Sequence, residues 1–244
     1  MYLLVDFGSG VNKRLKRAAM RALNPADDAV SAIQKARGRK PSEVYMQGLT
    51  RSKVPIDRND PPRLTRRVVG TLKAIKDSPV EISQTLYANS KTGAVPKSKI
   101  NRAMRSTGTE STAALKTRKS SVYDQAVHIH NHPGSPATPS MNDLAAIGAT
   151  VPLKSGISPT KSKGYITGLS GFHVTKYKAE PTSMKQLSKY DKTLKKTTKD
   201  NPMDNETIRS KGLKQFTDNI KTVTKRASER NKGMKTKVEQ YGLD

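Results

Sequence analysis

Apolar residues recur along this chain at two periods, and the change from one to the other predicts the order of elements. Between 64 and 76, Leu64, Val68, Leu72 and Ile75 are spaced four, four and three apart, which puts them on one face of a helix. The stretch 78–87 carries Val80, Ile82, Leu86 and Tyr87 among short polar residues. It predicts a strand ending at the turn-forming run Asn89-Ser90-Lys91-Thr92-Gly93. Residues 94–105 alternate loosely and are expected to hold another strand, followed by a polar, Lys/Arg/Ser/Thr-rich insertion over 106–121. Ala126-Val127-His128-Ile129 again has strand character, and a helix is expected over 142–149. Short β-like pieces follow at 150–153 and 164–169. A last one, 171–177, alternates Phe172, Val174 and Lys176 against His173, Thr175 and Tyr177, and the turn at 168–171 predicts that the last two pair as a hairpin.

Both ends read as helical and basic. Val11, Leu15, Ala18, Ala19 and Ala22 share a face over 11–23, a helix stopped by Asn24-Pro25. Pro25 then opens a second helix over 26–36, whose N-terminal dipole Asp27 and Asp28 complement. Near the other end, Leu187, Tyr190 and Leu194 line a helix over 184–198, broken at Asn201-Pro202. A longer helix, from 206 to about 240, would carry Ile208, Phe216, Ile220, Val223 and Ala227 in one stripe interrupted by Gly212 and Gly233. So weak a stripe needs its own domain, another chain or nucleic acid to cover it. Asn59-Asp60-Pro61-Pro62 reads as a linker. The expected organisation is a basic, partly helical N-terminal extension (1–60), an α+β domain (61–179) and a basic helical C-terminal extension (180–244).

Composition sharpens this picture. Only 33% of the 244 residues are hydrophobic and 5% aromatic, too little apolar material to bury the whole chain in one core. There is no cysteine, which removes disulfides and thiolate metal ligands. The net charge of +26, from 46 Lys and Arg against 20 Asp and Glu, is too large for solubility alone. It favours nucleic acid, an acidic protein or an anionic surface as a neighbour. Lys35, Arg37, Arg39 and Lys40 form a short basic cluster, which serves equally as a solvated face or as a phosphate contact. No run of eighteen apolar residues occurs, and the opening Met1-Tyr2-Leu3-Leu4-Val5-Asp6 is too short for a signal peptide. The expected location is therefore cytoplasmic, virion-associated or injected, with an oligomer or larger assembly in view.

The chemistry concentrates in one place. Three of the four histidines, His128, His130 and His132, occupy alternate positions of one strand, so their side chains share a face. Ser140 and Asp143 open the helix that follows. A carboxylate there can close a set of two imidazoles and one carboxylate, with a fourth position left for water, which is a catalytic zinc arrangement. Taken singly these residues have duller readings: surface or core histidines, and a Ser/Asp helix N-terminus.

Taken together, His130-x-His132-Pro133, six residues, Ser140, two residues, Asp143 resembles the signature of the JAMM (MPN+, JAB) metallopeptidases, and the wording His-Asn-His-Pro is most similar to their RadC-like branch. The resemblance covers about half the chain and implies a JAB/MPN-like (cytidine-deaminase-like) mixed sheet flanked by helices. It also implies that His130, His132 and Asp143 bind Zn²⁺ and that Ser140 donates a hydrogen bond to the oxyanion. A glutamate on an earlier strand would shuttle the proton; Glu81 is the favoured residue and Glu110 its competitor. Ser83 and Gln84 stand where that family often has glycine. His128 is a candidate outer partner of the ligands, and His173 reads as structural.

The expected function is hydrolysis of a peptide or isopeptide bond in a protein substrate. Basic, cysteine-free, weakly hydrophobic chains unfold readily and travel with DNA or through narrow channels, which suits a phage-borne or injected effector. The alternative is a non-enzymatic nucleic-acid-binding or virion structural protein on the same fold, using its basic extensions. A zinc deaminase is excluded by the lack of cysteine ligands and of a His-x-Glu element.

Overall fold

The structure, a computed structural model, describes residues 59–96, 104–169, 173–180, 183–229 and 237–242. The two N-terminal helices expected from the sequence, and Lys35, Arg37, Arg39 and Lys40 with them, lie outside the described residues. Helix α1 spans Pro62–Ile75, strand β1 Ile82–Ala88, β2 Arg105–Thr107 and β3 Gln125–Asn131. After β3 come α2 (Met141–Ala145), a π-helical turn (Ala146–Thr150) and α3 (Val151–Ser155). Strands β4 (Ser162–Thr167) and β5 (His173–Lys178) precede α4 (Met184–Asp200), α5 (Asn205–Glu229) and β6 (Lys237–Gly242).

The six strands form one mixed sheet in the order β2-β1-β3-β4-β5-β6. Only β3 and β4 run parallel, joined by the crossover through α2 and α3; the other neighbours are antiparallel. Helices cover both faces, as expected for a mixed α+β fold. On one face Leu64, Val68, Leu72 and Ile75 of α1 pack on Ile82, Leu86, Val127, Ile129, Tyr165 and Val174. On the other, Tyr87, Ala126, Ile166 and Tyr177 meet Leu144, Ile147, Val151, Leu187 and Tyr190. The parallel centre of the sheet is thus buried on both sides, which is why the β3 and β4 segments carry few charges.

Several expectations are corrected. Residues 150–153 are not a strand: Val151 begins a helical turn that Gly156, at φ 75, terminates in the left-handed conformation. Of the stretch 94–105, Arg105 opens strand β2, and 97–103 lie outside the described residues. The last helix does not run to about 240. It bends at Gly212 (φ 81), ends at Glu229, and 237–242 forms the edge strand β6 on β5. The expected helical C-terminal extension therefore ends in a strand. The stripe on α5 has a cover within the chain: Phe216, Ile220 and Val223 pack with Met203, Ile208 and Leu213, and with Leu194 of α4. Asp60 is no linker residue. Its carboxylate is buried, bonded to the Lys163 ammonium and, at 2.8 Å, to the Tyr165 hydroxyl of β4. Among the described residues, no helix is long and apolar enough to cross a membrane.

Candidate metal centre

Alternation on β3 places His128 and His130 on the face away from α1, and His132 continues it just past the strand's end. The turn after His132 is fastened to the sheet by the His132 N–H to the Thr167 carbonyl (2.8 Å) and by the Leu169 N–H to the Ser135 carbonyl (2.7 Å). It lies so close to β4 that a Cβ on Gly168 would stand 2.5 Å from the Ala137 nitrogen, so only glycine fits there. The Tyr190 hydroxyl of α4 holds the Pro139 carbonyl at 2.9 Å, immediately before the helix that carries the acid.

Ser140 is the N-cap of α2 and Asp143 its third residue, forming a reciprocal capping box. Asp143 N–H donates to Ser140 Oγ (3.2 Å), while Ser140 N–H and Oγ–H both donate to Asp143 Oδ2 at 2.7 Å. The local reading of Ser140 and Asp143 as a helix start is therefore correct, and the cap is what aims the carboxylate. Asp143 Oδ1 lies 3.0 Å from His130 Nε2 and Oδ2 lies 3.5 Å from His132 Nε2; the two Nε2 atoms are 3.1 Å apart. His132 Nδ1 donates to the Pro136 carbonyl at 3.2 Å, which turns its Nε2 lone pair toward the cluster. These three residues form a group that could hold a metal ion. His130 is 1% exposed, but His132 and Asp143 are 17% and 14% exposed, so the cluster is open on one side.

That open side faces a cleft of about 410 Å³ lined by Glu81, Glu110, His128, His132, Ser140 and Asp143. Burial pushes the Glu81 carboxyl above its usual range, against the pull of His130 and His132. Glu110 shares the cleft but is exposed. Burial opposes protonation of His132, yet its hydrogen bond to Asp143 and the charge of that carboxylate raise it overall. For Asp143, burial works upward but the two imidazoles outweigh it and hold the carboxyl well below its ordinary value. His128 is not part of the donor group. Its Nδ1 sits 3.4 Å from Thr85 Oγ1, and burial pushes it down to about 3, so the imidazole is neutral. His173 stands elsewhere, against Thr217 of α5.

Two contributions escape the sequence. Asn131, between His130 and His132, is 1% exposed and points to the opposite face of β3. Its carbonyl accepts the Ile82 N–H at 2.7 Å, and its amide donates to the Ser78 (3.2 Å) and Val80 (3.1 Å) carbonyls. One side chain thus fixes the backbone on both sides of Glu81 and ties it to the strand bearing both histidines. Asn131→Ala is expected to cost about 1–3 kcal/mol, because it strands the Ile82 N–H in the interior. Urea unfolding of the purified variant checks this; an unchanged midpoint would remove the clamp from the account. The second contribution is the loop over 108–115. It closes the cleft because Glu81 N–H donates to the Thr109 carbonyl (2.7 Å), Gly108 N–H to the Glu81 carbonyl (2.9 Å), and Ser83 Oγ to the Ala114 carbonyl (2.9 Å). Ser83 is thus a fastening point for this loop. Compared with protein-family models, with curated proteins and with solved structures, the chain matches none of them.

Proposed function

We propose that this chain is a zinc-dependent metallopeptidase or isopeptidase of the JAMM (JAB/MPN+) kind, acting on a protein substrate. The reading rests on one observation, the convergence of two imidazole Nε2 atoms and a carboxylate within a cleft that also holds a desolvated glutamate. Ligands of a tetrahedral zinc, at bonds of about 2.0–2.1 Å, stand about 3.3 Å from one another. The two Nε2 atoms, 3.1 Å apart, and the His130 Nε2–Asp143 Oδ1 pair, at 3.0 Å, are close to that edge, one donor from each of the three residues lies within 4.8 Å of the others, and nitrogen with carboxylate oxygen suits zinc at an open site. Bound there, the ion would supply Lewis-acid polarisation of the scissile carbonyl and an activated water.

The remaining work falls to the chain. Pro136 and the capping box hold His132 and Asp143 in their ligating orientations. Glu81, whose carboxyl burial makes a better proton acceptor, would take a proton from the attacking water as that water bonds to the carbonyl carbon, and return it to the amine as the C–N bond breaks. Ser140 Oγ, on the cleft wall, would give up its bond to Asp143 Oδ2 and turn its one hydrogen to the oxyanion that develops on the substrate. The setting we favour is a phage-borne or injected effector. A second reading, a basic nucleic-acid-binding or virion protein that does not catalyse, is supported by the charge of +26.

Elemental analysis separates the readings. About one zinc per chain is expected, lost in the His130→Ala/His132→Ala double variant. A protein that takes up no zinc on reconstitution near neutral pH is not a peptidase of this kind.

A further inference from the structure

A second concave surface lies on the other side of the sheet from the metal centre. Gln84 and Leu86 of β1 face α1, whereas Ser83 and Thr85 share the face of His128 and His130. Over Gln84 and Leu86 runs a groove of about 830 Å³, bounded by the outer side of α1, the edge strand β2 and the turn at 93–95. Its charge comes from Arg63, Arg66 and Arg67 on α1 and Arg105 on β2, all four exposed. No acidic residue lines it, and none of the four arginines has a carboxylate partner among the described residues.

Such a cluster works against the fold. Four guanidiniums sharing one groove repel each other, and Arg63 sits in the first turn of α1, where the helix dipole disfavours a cation and no acid offsets it. The core-facing residues of α1, at 64, 68, 72 and 75, do not require arginines on the outer side. An anion held in the groove removes the penalty.

We propose that this arginine groove binds the phosphate backbone of duplex nucleic acid. Planar guanidinium forks match phosphate oxygens two at a time, and a groove charged along a full helical turn and across to β2 suits a row of phosphates rather than one. A membrane surface offers no ridge to enter a recess. Among the described residues no aromatic side chain lines the groove, which gives no stacking platform of the kind single strands use, and the contact is to backbone without sequence readout. The groove and the metal centre, on opposite faces, can be occupied together.

The test compares the full-length chain with Arg63→Gln/Arg66→Gln/Arg67→Gln/Arg105→Gln, by fluorescence anisotropy of a mixed-sequence duplex oligonucleotide across a salt series. A control, Lys185→Gln/Lys189→Gln/Lys192→Gln/Lys196→Gln, removes four exposed charges from α4 instead. The groove variant is expected to lose about three to four units of the log–log salt slope and about tenfold or more in affinity. The control is expected to lose far less. Gly70→Glu adds a carboxylate to the groove where a Cβ meets nothing within 4 Å, and it should weaken binding without disturbing the fold. Equal losses in groove variant and control would reduce the effect to net charge and overturn the proposal. So would full duplex affinity in the groove variant, or an arginine dependence seen only with anionic lipid vesicles.

Discussion

Replacing Asp60 with alanine is expected to lower the stability of this protein by about 3–5 kcal/mol, the cost of breaking a buried ion pair by removing one member. The Lys163 side chain is 4% exposed and that of Asp60 6%, so neither reaches bulk water. Asp60 also accepts the Tyr165 hydroxyl, and Tyr165 is fully buried beneath α1. Removing the carboxylate takes a bond from a buried ammonium and from a buried phenol together, and the start of α1 loses its anchor to β4. Chemical denaturation measures the effect. The double variant Asp60→Leu/Lys163→Leu should recover much of the loss, since replacing both members of a buried pair by apolar groups of similar volume is often neutral. A single variant within 1 kcal/mol of the parent would show that water reaches Lys163 (about the limit expected of an exposed pair).

Glu81→Gln is expected to keep the metal and lose peptide hydrolysis by about 10²–10⁴-fold, the usual share of a positioned general acid–base group. Glutamine fills the same space and keeps an acceptor for the loop over 108–115, but it cannot take up a proton. The measurement pairs metal content with chelator-sensitive cleavage of a peptide library followed by mass spectrometry. Zinc retained with cleavage lost is the expected result. Zinc retained with cleavage intact would move the proton transfer to Glu110, the other carboxylate on the cleft wall. The two glutamates differ in environment: Glu81 is desolvated beside the imidazole pair, and Glu110 is exposed.

The sequence by itself determined whatever depends on neighbours a few residues apart. The four-four-three spacing of Leu64, Val68, Leu72 and Ile75 describes the buried face of α1, and alternation puts His130 and His132 together. The Ser140–Asp143 cap is written in four consecutive residues, and it aims its acid back at His130 and His132, completing a group that could hold a metal ion.

Tertiary structure alone decided the rest. The short apolar run at 150–153 suits strand or helix equally, and its place in the crossover between β3 and β4 makes it helical. Residues 237–242 continue a helical pattern on paper but become a strand, because the free edge of β5 offers hydrogen bonds that an isolated chain end lacks. Asp60 sits in a proline-rich stretch whose local signal is a linker, and Lys163 and Tyr165, 103 and 105 residues away, make it part of the interior. Asn131 carries no local mark of its role; its partners at 78, 80 and 82 come within reach only when β1 and β3 pair. Local patterns fix the elements and the ligand spacing. Which charge is buried and which backbone is clamped depends on contacts between residues far apart in sequence, and these form only on folding.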